Sequence, residues 1–431
     1  MILLLSSILF LAAIGLSLKY KGISGASICI AIIFIYAFAF RILPSAPPVD
    51  IPLVILAISM ATGALECCGG LLFLIDLSEK FISKYPKKIT YIGPFIVYFF
   101  TILSGSGHTV YSFLNIIAKV SKKVGVTPSK PLAGAVIAAQ QGLISSPISS
   151  PIVIVLSCLS VIGLKLKDFI FFYIVSTFFS LLITCFFLSR KVCLKSCEII
   201  NEKDNTSYII SEKIKKGKLS IIVYFLGIAF IMFAGWIDSI RSLKILGQTK
   251  SISMINSLTL TMFLVSAIII VIYNISGKEI IDSESFKSGL QAAISILGIS
   301  WLGNVFLEIN KNEILSFIKI ITNYNEWLFG LLLFFSCIPL MSQSATLKLF
   351  LPLGIMLGID KKILISVIPA VNSVFVLPIY PTMLAAAQLD TSGKTSLGKK
   401  FFFNHSFMIP GIIATTISTS LIIVFIKFFY T

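Results

Sequence analysis

The sequence predicts an all-α polytopic membrane protein of about 10–12 transmembrane segments. These are arranged as two inverted-topology repeats with discontinuous helices or re-entrant hairpins. Three observations predict it. Hydrophobic residues make up 57% of the 431 and charged residues only 12%, with a mean hydropathy of +1.01, whereas a soluble domain carries roughly 25% charge. The apolar runs are continuous and about 20 residues long, enough to cross a bilayer as helices, which excludes the alternating strands of an outer-membrane barrel. Finally, apolar stretches in both halves are broken by Gly, Pro and Ser at matching places, which in transporters marks the substrate site.

Residues 2–18 form an apolar run with no basic stretch before it and no small-residue cleavage site ahead of Lys19, so they are read as a retained first span. Spans cluster in an N-terminal transmembrane repeat, 1–189, and a C-terminal one, 219–431. A basic linker at 190–218 joins them, carrying Arg190, Lys191, Lys195, Lys203, Lys213, Lys215, Lys216 and Lys218. The net charge of +17 is spread over short loops, which fits cytoplasmic loops better than a nucleic-acid surface. Placing the linker, Lys19/Lys21, Lys87/Lys88 and Lys394/Lys399/Lys400 inside leaves both termini outside. Each half then crosses an odd number of times, in opposite senses. Most of the eight cysteines lie in or beside apolar runs as small hydrophobes. Cys193 and Cys197 alone are too few for a metal site.

The first break is Ser104-Gly105-Ser106-Gly107-His108-Thr109. Two interior glycines, each costing a helix roughly 1 kcal/mol, invite it to stop and restart. The restarted end offers free N–H groups and a positive dipole to an anion. Ser104, Ser106 and Thr109 add hydroxyls and His108 a donor of variable charge. Close helix packing through small residues is the competing reading. The second break, Ser145–Pro151, holds Ser146 just before Pro147 and Ser149 between Pro147 and Pro151, and proline removes a helix donor. A kinked span with back-bonded serines is the alternative. In the second half Ser342, Gln343, Ser344 and Thr346 repeat the hydroxyl theme. Pro378 and Pro381 bracket Tyr380 beside Thr382. Lys348 stands in an apolar run, either facing an anionic solute or snorkelling from a helix end. Carboxylates are scarce inside the spans, so hydroxyls and helix N-termini favour an anionic or zwitterionic solute. No His-Glu-x-x-His is present, and Ser106 and His108 are spaced to face different sides of a helix. An intramembrane hydrolase or a channel is therefore the weaker class.

The segments Thr101–Tyr111, Pro131 through Gln140 to Ser149, Phe286–Gly289 with Trp301, Ser342-Gln343 and above all Leu377 through Tyr380, Gln388, Asp390, Asn404 and His405 to Gly411 resemble the Dcu family of anaerobic four-carbon dicarboxylate transporters. The likeness covers essentially the whole chain. Gly105 to Tyr111 looks closer to the fumarate–succinate exchange branch than to the aspartate-uptake branch. Ser106 replaces a customary Thr, Lys130 a customary Arg and Asn304 an acidic residue. Lys cannot grip a carboxylate bidentately as Arg does. The resemblance implies a secondary transporter of fumarate, succinate, malate and aspartate, in the bacterial inner membrane, working by antiport under anaerobic conditions. The alternative is a carrier of another small organic anion or amino acid. The expected partners are the dicarboxylate and the lipid bilayer, with a homodimer left open and no nucleic acid. No enzyme activity, cofactor or metal is expected, and a coupling ion is left open.

Overall fold

The computed structural model describes residues 2–20, 22–189, 217–245, 248–377, 380–390, 395 and 405–429. Most of the basic linker, Cys193, Cys197, Lys394, Lys399, Lys400, Asn404 and the bracket residue Pro378 lie outside the described residues.

The described chain is helical apart from one short ribbon. The first half runs α1 (Ile2–Tyr20), α2 (Gly22–Phe38), α3 (Asp50–Cys67), α4 (Gly70–Lys84), α5 (Ile89–Ser104), α6 (Val110–Lys123), α7 (Ser129–Ser145), α8 (Ser150–Leu159) and α9 (Ile170–Ser189). The second half runs α10 (Lys218–Trp236), α11 (Met254–Tyr273), α12 (Gly277–Asp282), α13 (Glu284–Ile309), α14 (Lys311–Tyr324), α15 (Leu328–Leu340), α16 (Gln343–Met356), α17 (Lys361–Val367), α18 (Pro381–Leu389) and α19 (Met408–Phe429). The departure from the all-helical expectation is an antiparallel ribbon, β1 (Ser242–Ile245) with β2 (Gln248–Ser251), between α10 and α11. Paired strands satisfy these backbone groups without a helix.

Seven segments among the described residues are long and apolar enough to cross a membrane, and three shorter apolar helices, Leu5–Ser17, Ile23–Phe38 and Leu328–Ile338, accompany them. Exposed side chains on these helices are themselves apolar, such as Leu11, Phe34, Leu226, Phe233, Leu260 and Phe428, as lipid contact requires. The protein is therefore a multi-pass helical membrane protein.

Packing separates an outer frame from an inner group. In the frame α3 packs against α11 and α13, α13 against α2, α1 against α2 and α10 against α11. Small residues permit these approaches. A Cβ on Gly289 of α13 would sit 1.6 Å from Ser59 Oγ of α3, and one on Gly298 would sit 2.7 Å from the Ala26 backbone of α2. Glu66, at the end of α3, accepts from the N–H groups of Glu284 (3.1 Å) and Ser285 (2.9 Å), capping the start of α13. The inner group holds the broken helices. There α5 packs on α6 and α7, α7 on α9, α15 on α16, and α19 on α9. The seam between the groups includes Gly303 of α13, whose added Cβ would meet Leu349 of α16 at 1.8 Å.

Candidate functional site

All four breaks expected from the sequence coincide with ends of regular helix. At the first, α5 stops at Ser104 and Gly105 turns left-handed with φ +66°. A Cβ there would also lie 2.8 Å from the Ile148 carbonyl oxygen, so only glycine fits both the turn and the contact. A short 3-10 turn, Gly107–Thr109, then leads into α6. At the second, Ser146 is extended and Ser149 caps α8, accepting from Ile152 N–H at 3.4 Å. Pro151 occupies the first turn of α8, where its missing N–H costs nothing. The two breaks touch: Ser146 Oγ donates to the Ile102 carbonyl at 2.7 Å.

In the second half Met341 takes φ +48°, a rare conformation for a residue with a side chain. Ser342 is extended and its Oγ accepts from Ala345 N–H at 3.2 Å, starting α16. The fourth break begins earlier than the Pro378–Pro381 bracket suggested. After α17 the chain runs as 3-10 helix from Ile368 to Phe375. Pro369 explains this. It has no N–H to offer the Ile365 carbonyl four residues back, and the Tyr173 hydroxyl fills that acceptor at 2.8 Å. Cys337 and Ser373 side chains tie the segment to α15 through the Val371 and Phe334 carbonyls. Beyond it, Tyr380 precedes α18, with Pro381 as its first residue.

Many of the expected site hydroxyls build the breaks. Ser104 Oγ accepts from Ser106 N–H at 3.2 Å, Thr109 Oγ1 donates to the Ser106 carbonyl at 2.8 Å, Ser149 Oγ donates to Leu143 O at 2.5 Å and Thr346 Oγ1 to Ser342 O at 2.8 Å. Gly107 approaches Leu143, with an added Cβ at 3.1 Å, and Pro147 lies in the turn between α7 and α8. The side chain of His108 lies outside the described residues. Behind the second break, Tyr98 bonds Thr177 at 2.7 Å, and Thr177 also pairs with Ser145, holding the end of α7 to α5 and α9.

The groups that converge from different helices are amides. Gln343 Nε2, in the first turn of α16, donates to Gln140 Oε1 of α7 at 3.1 Å and to Asn372 Oδ1 of the 3-10 segment. Ser344 Oγ donates to Ser150 Oγ at 3.0 Å, joining the first turns of α16 and α8. Tyr380 lies against the Gln140 side chain and within electrostatic reach of Tyr111 in the first turn of α6. Thr382, in the first turn of α18, is buried. The N-termini of α6, α8, α16 and α18 are thus linked, through these contacts, to one small region. Lys348 lies one turn beyond Ser344, half-buried, and interacts electrostatically with Cys158 of α8.

Sequence reasoning missed Asn372 and Gln141, and it met Gln140 only through the resemblance. Their signal was an amide inside an apolar helix, which is costly unless partnered. Gln140 Nε2, both amide atoms of Gln141, Gln343 Oε1, Asn372 Nδ2 and Thr382 Oγ1 are buried without a hydrogen-bond partner among the described residues. Each such group costs about 1–3 kcal/mol if nothing polar meets it. A concentration of them in one region calls for polar partners beyond those the described side chains provide. No cluster of three metal-ligating side chains occurs among the described residues.

Residues 2–430 match the family model described as "Anaerobic c4-dicarboxylate membrane transporter". The chain belongs to this family. Its similarity to the C4-dicarboxylate transporter DcuA of Wolinella succinogenes is 33% identity, covering 94% of this chain and 93% of the relative. It is 30% identical to DcuA of Escherichia coli K12 (88% and 89% covered) and 31% identical to the anaerobic C4-dicarboxylate transporter DcuB of Escherichia coli O6:H1 (89% and 89%). Among solved structures, the YdaH transporter of Alcanivorax borkumensis shares the fold at TM-score 0.59 and 15% identity, covering 89% and 86%. MtrF of Neisseria gonorrhoeae does so at 0.55 and 13%, covering 89% and 82%. The family is one of membrane transporters, not enzymes.

Proposed function

We propose that the chain moves four-carbon dicarboxylates (fumarate, succinate, malate and aspartate) across a bacterial inner membrane by one-for-one antiport. The observation that carries this is the linkage of four helix N-termini, of α6, α8, α16 and α18, around a cluster of buried amides that keep unpartnered polar atoms. Each N-terminus is worth roughly half a positive elementary charge, so the four together roughly offset a dianion. Gln140 Nε2 and Asn372 Nδ2 supply donors for carboxylate oxygens. Ser104, Ser106, Thr109, Ser342 and Thr346 shape the tips that present the helix ends. Lys348 adds positive charge along the α8 side.

Exchange follows from electrostatics. Moving one charge against 100 mV costs about 2.3 kcal/mol, so a lone dianion entering a negative interior costs roughly twice that, while swapping two dianions costs nothing. The inverted-repeat reading is supported by reciprocal packing: α1 on α2 is matched by α10 on α11, α2 on α13 by α11 on α3, and α16 on α8 by α6 on α18. In that arrangement the 190–218 linker is cytoplasmic and both termini are outside.

The test is counterflow of radiolabelled succinate in proteoliposomes, with fumarate, malate, aspartate, lactate and citrate as competitors. Trans-stimulation by internal succinate and competition by the C4 acids are expected. Uptake indifferent to internal succinate would overturn exchange. Lactate competing as well as fumarate would overturn the two-carboxylate site.

A further inference from the structure

The open atoms of the amide trio are not all donors. Gln343 is 4% exposed, and its Nε2 carries two N–H groups. Both are used, one on Gln140 Oε1 at 3.1 Å and one on Asn372 Oδ1. Its Oε1 is buried and receives no donor among the described residues. Two donors, Gln140 Nε2 and Asn372 Nδ2, are likewise open. The oxygen and nitrogen of one amide stand about 2.2 Å apart, given bonds of about 1.23 and 1.33 Å. The two hydrogen bonds therefore hold Gln343 Oε1 within about 8 Å of each open donor. A four-carbon diacid has dimensions of the same order.

The orientation of the trio follows from its own bonds. Turning Gln343 alone would aim its oxygen at two other oxygens. Turning all three together would present two oxygens and one amino group, the wrong balance for an anion, which is held by N–H donors. With a carboxylate at Gln140 and Asn372, the set keeps Gln343 Oε1 as a bare acceptor inside the site. The tip that carries it is firm: Ser342 Oγ accepts from Ala345 N–H at 3.2 Å and Thr346 Oγ1 donates to Ser342 O at 2.8 Å.

An ionised carboxylate offers acceptors only. The dianions of succinate and fumarate therefore bring nothing to donate to Gln343 Oε1, and binding them leaves a buried acceptor unfilled. A hydroxyl or ammonium group on carbon 2 of the diacid would fill it. We propose that Gln343 is the specificity-determining residue of this site, reading a hydrogen-bond donor on carbon 2. The carrier then holds 2-substituted four-carbon diacids such as malate and aspartate more tightly than succinate or fumarate. The proposal rests on the dicarboxylate reading above. Sites that hydrogen-bond a substrate hydroxyl discriminate against the analogue lacking it, because their own polar group is left bare.

The experiment uses the full chain in proteoliposomes and measures inhibition of labelled succinate counterflow by unlabelled malate, succinate and 2-methylsuccinate. Malate adds a hydroxyl at carbon 2, and methylsuccinate a methyl group of similar size. In the parent, malate is expected to inhibit roughly 5- to 150-fold more tightly than succinate, the range for filling a buried acceptor. Methylsuccinate should gain nothing over succinate. Gln343→Met keeps the side-chain length and removes both amide groups, so it should bring malate and succinate together. Asn372→Leu keeps Gln343 Oε1, so it should weaken both acids by one factor and preserve their ratio. Equal inhibition by malate and succinate in the parent would mean that water fills the acceptor and would overturn the proposal. A gain by methylsuccinate equal to that of malate would assign the preference to pocket shape and overturn it too. So would a malate preference that survives in Gln343→Met with an unfolding curve like the parent's. If that variant does not fold, the comparison of the three acids in the parent decides. A parent that carries no succinate would instead overturn the transport reading itself.

Discussion

Asn372→Leu is the sharpest test of the amide site. The two side chains are close in size, and Asn372 is 1% exposed, so the change alters polarity with little change in volume. It removes two things: the Oδ1 acceptor used by Gln343 and the unpartnered Nδ2 donor. Gln343 keeps its bond to Gln140, so the structural loss is one neutral hydrogen bond, about 1 kcal/mol. The loss to a bound carboxylate is larger, because hydrogen bonds to charged groups are worth about 1.5–3 kcal/mol. At 1.4 kcal/mol per factor of ten, the KM for succinate counterflow should rise roughly 10- to 150-fold. The assay is initial-rate counterflow in proteoliposomes at matched protein density, with a thermal unfolding curve in detergent beside it. A KM within twofold of the parent, with a small drop in unfolding temperature, would refute the reasoning and make the amide cluster a structural joint between helices.

Other outcomes follow from the breaks and their surroundings. Gly105→Ala forces a side chain into a left-handed turn, at about 1–2 kcal/mol, and against the Ile148 carbonyl at 2.8 Å; thermal stability and transport should fall together. Ser342→Ala and Ser106→Ala should weaken fumarate exchange more than Ser157→Ala, which lies outside the breaks; equal exchange by all three at matched expression would count against these tips. His405, ahead of α19, has its pKa lowered by burial, opposed by its contact with the Val376 carbonyl at 3.1 Å. Because the folded value lies below the ordinary 6.5 of histidine, the unfolded chain takes up the proton first, so stability is full above about pH 6.5 and declines as pH falls toward the folded value. His405→Gln should flatten that decline in a pH series of unfolding temperatures.

The breaks were legible because Gly, Pro and Ser act locally. Gly105 and Pro151 dictate backbone geometry wherever they stand, and both sit at a break as the sequence implied. Three things were not legible. A serine that bonds its own backbone reads the same as one that meets a solute, so the bonds of Ser149 to Leu143 and of Thr346 to Ser342 could not be read in advance. The 3-10 run from Ile368 depends on Pro369 acting with Tyr173 from a distant helix, and local pattern carries no trace of that hydroxyl. The meeting of Gln140, Gln343 and Asn372 is tertiary. Each amide sits alone among apolar neighbours, and its meaning emerges only when the helices come together.

The amide trio joins one donor, Gln343, to two acceptors, and it draws on both sides of the basic segment: Gln140 stands ahead of it, Gln343 and Asn372 behind it. Neither portion completes this hydrogen-bonded joint alone. Drift at any one of the three leaves a dangling partner elsewhere, so their identities are bound to change in concert or not at all.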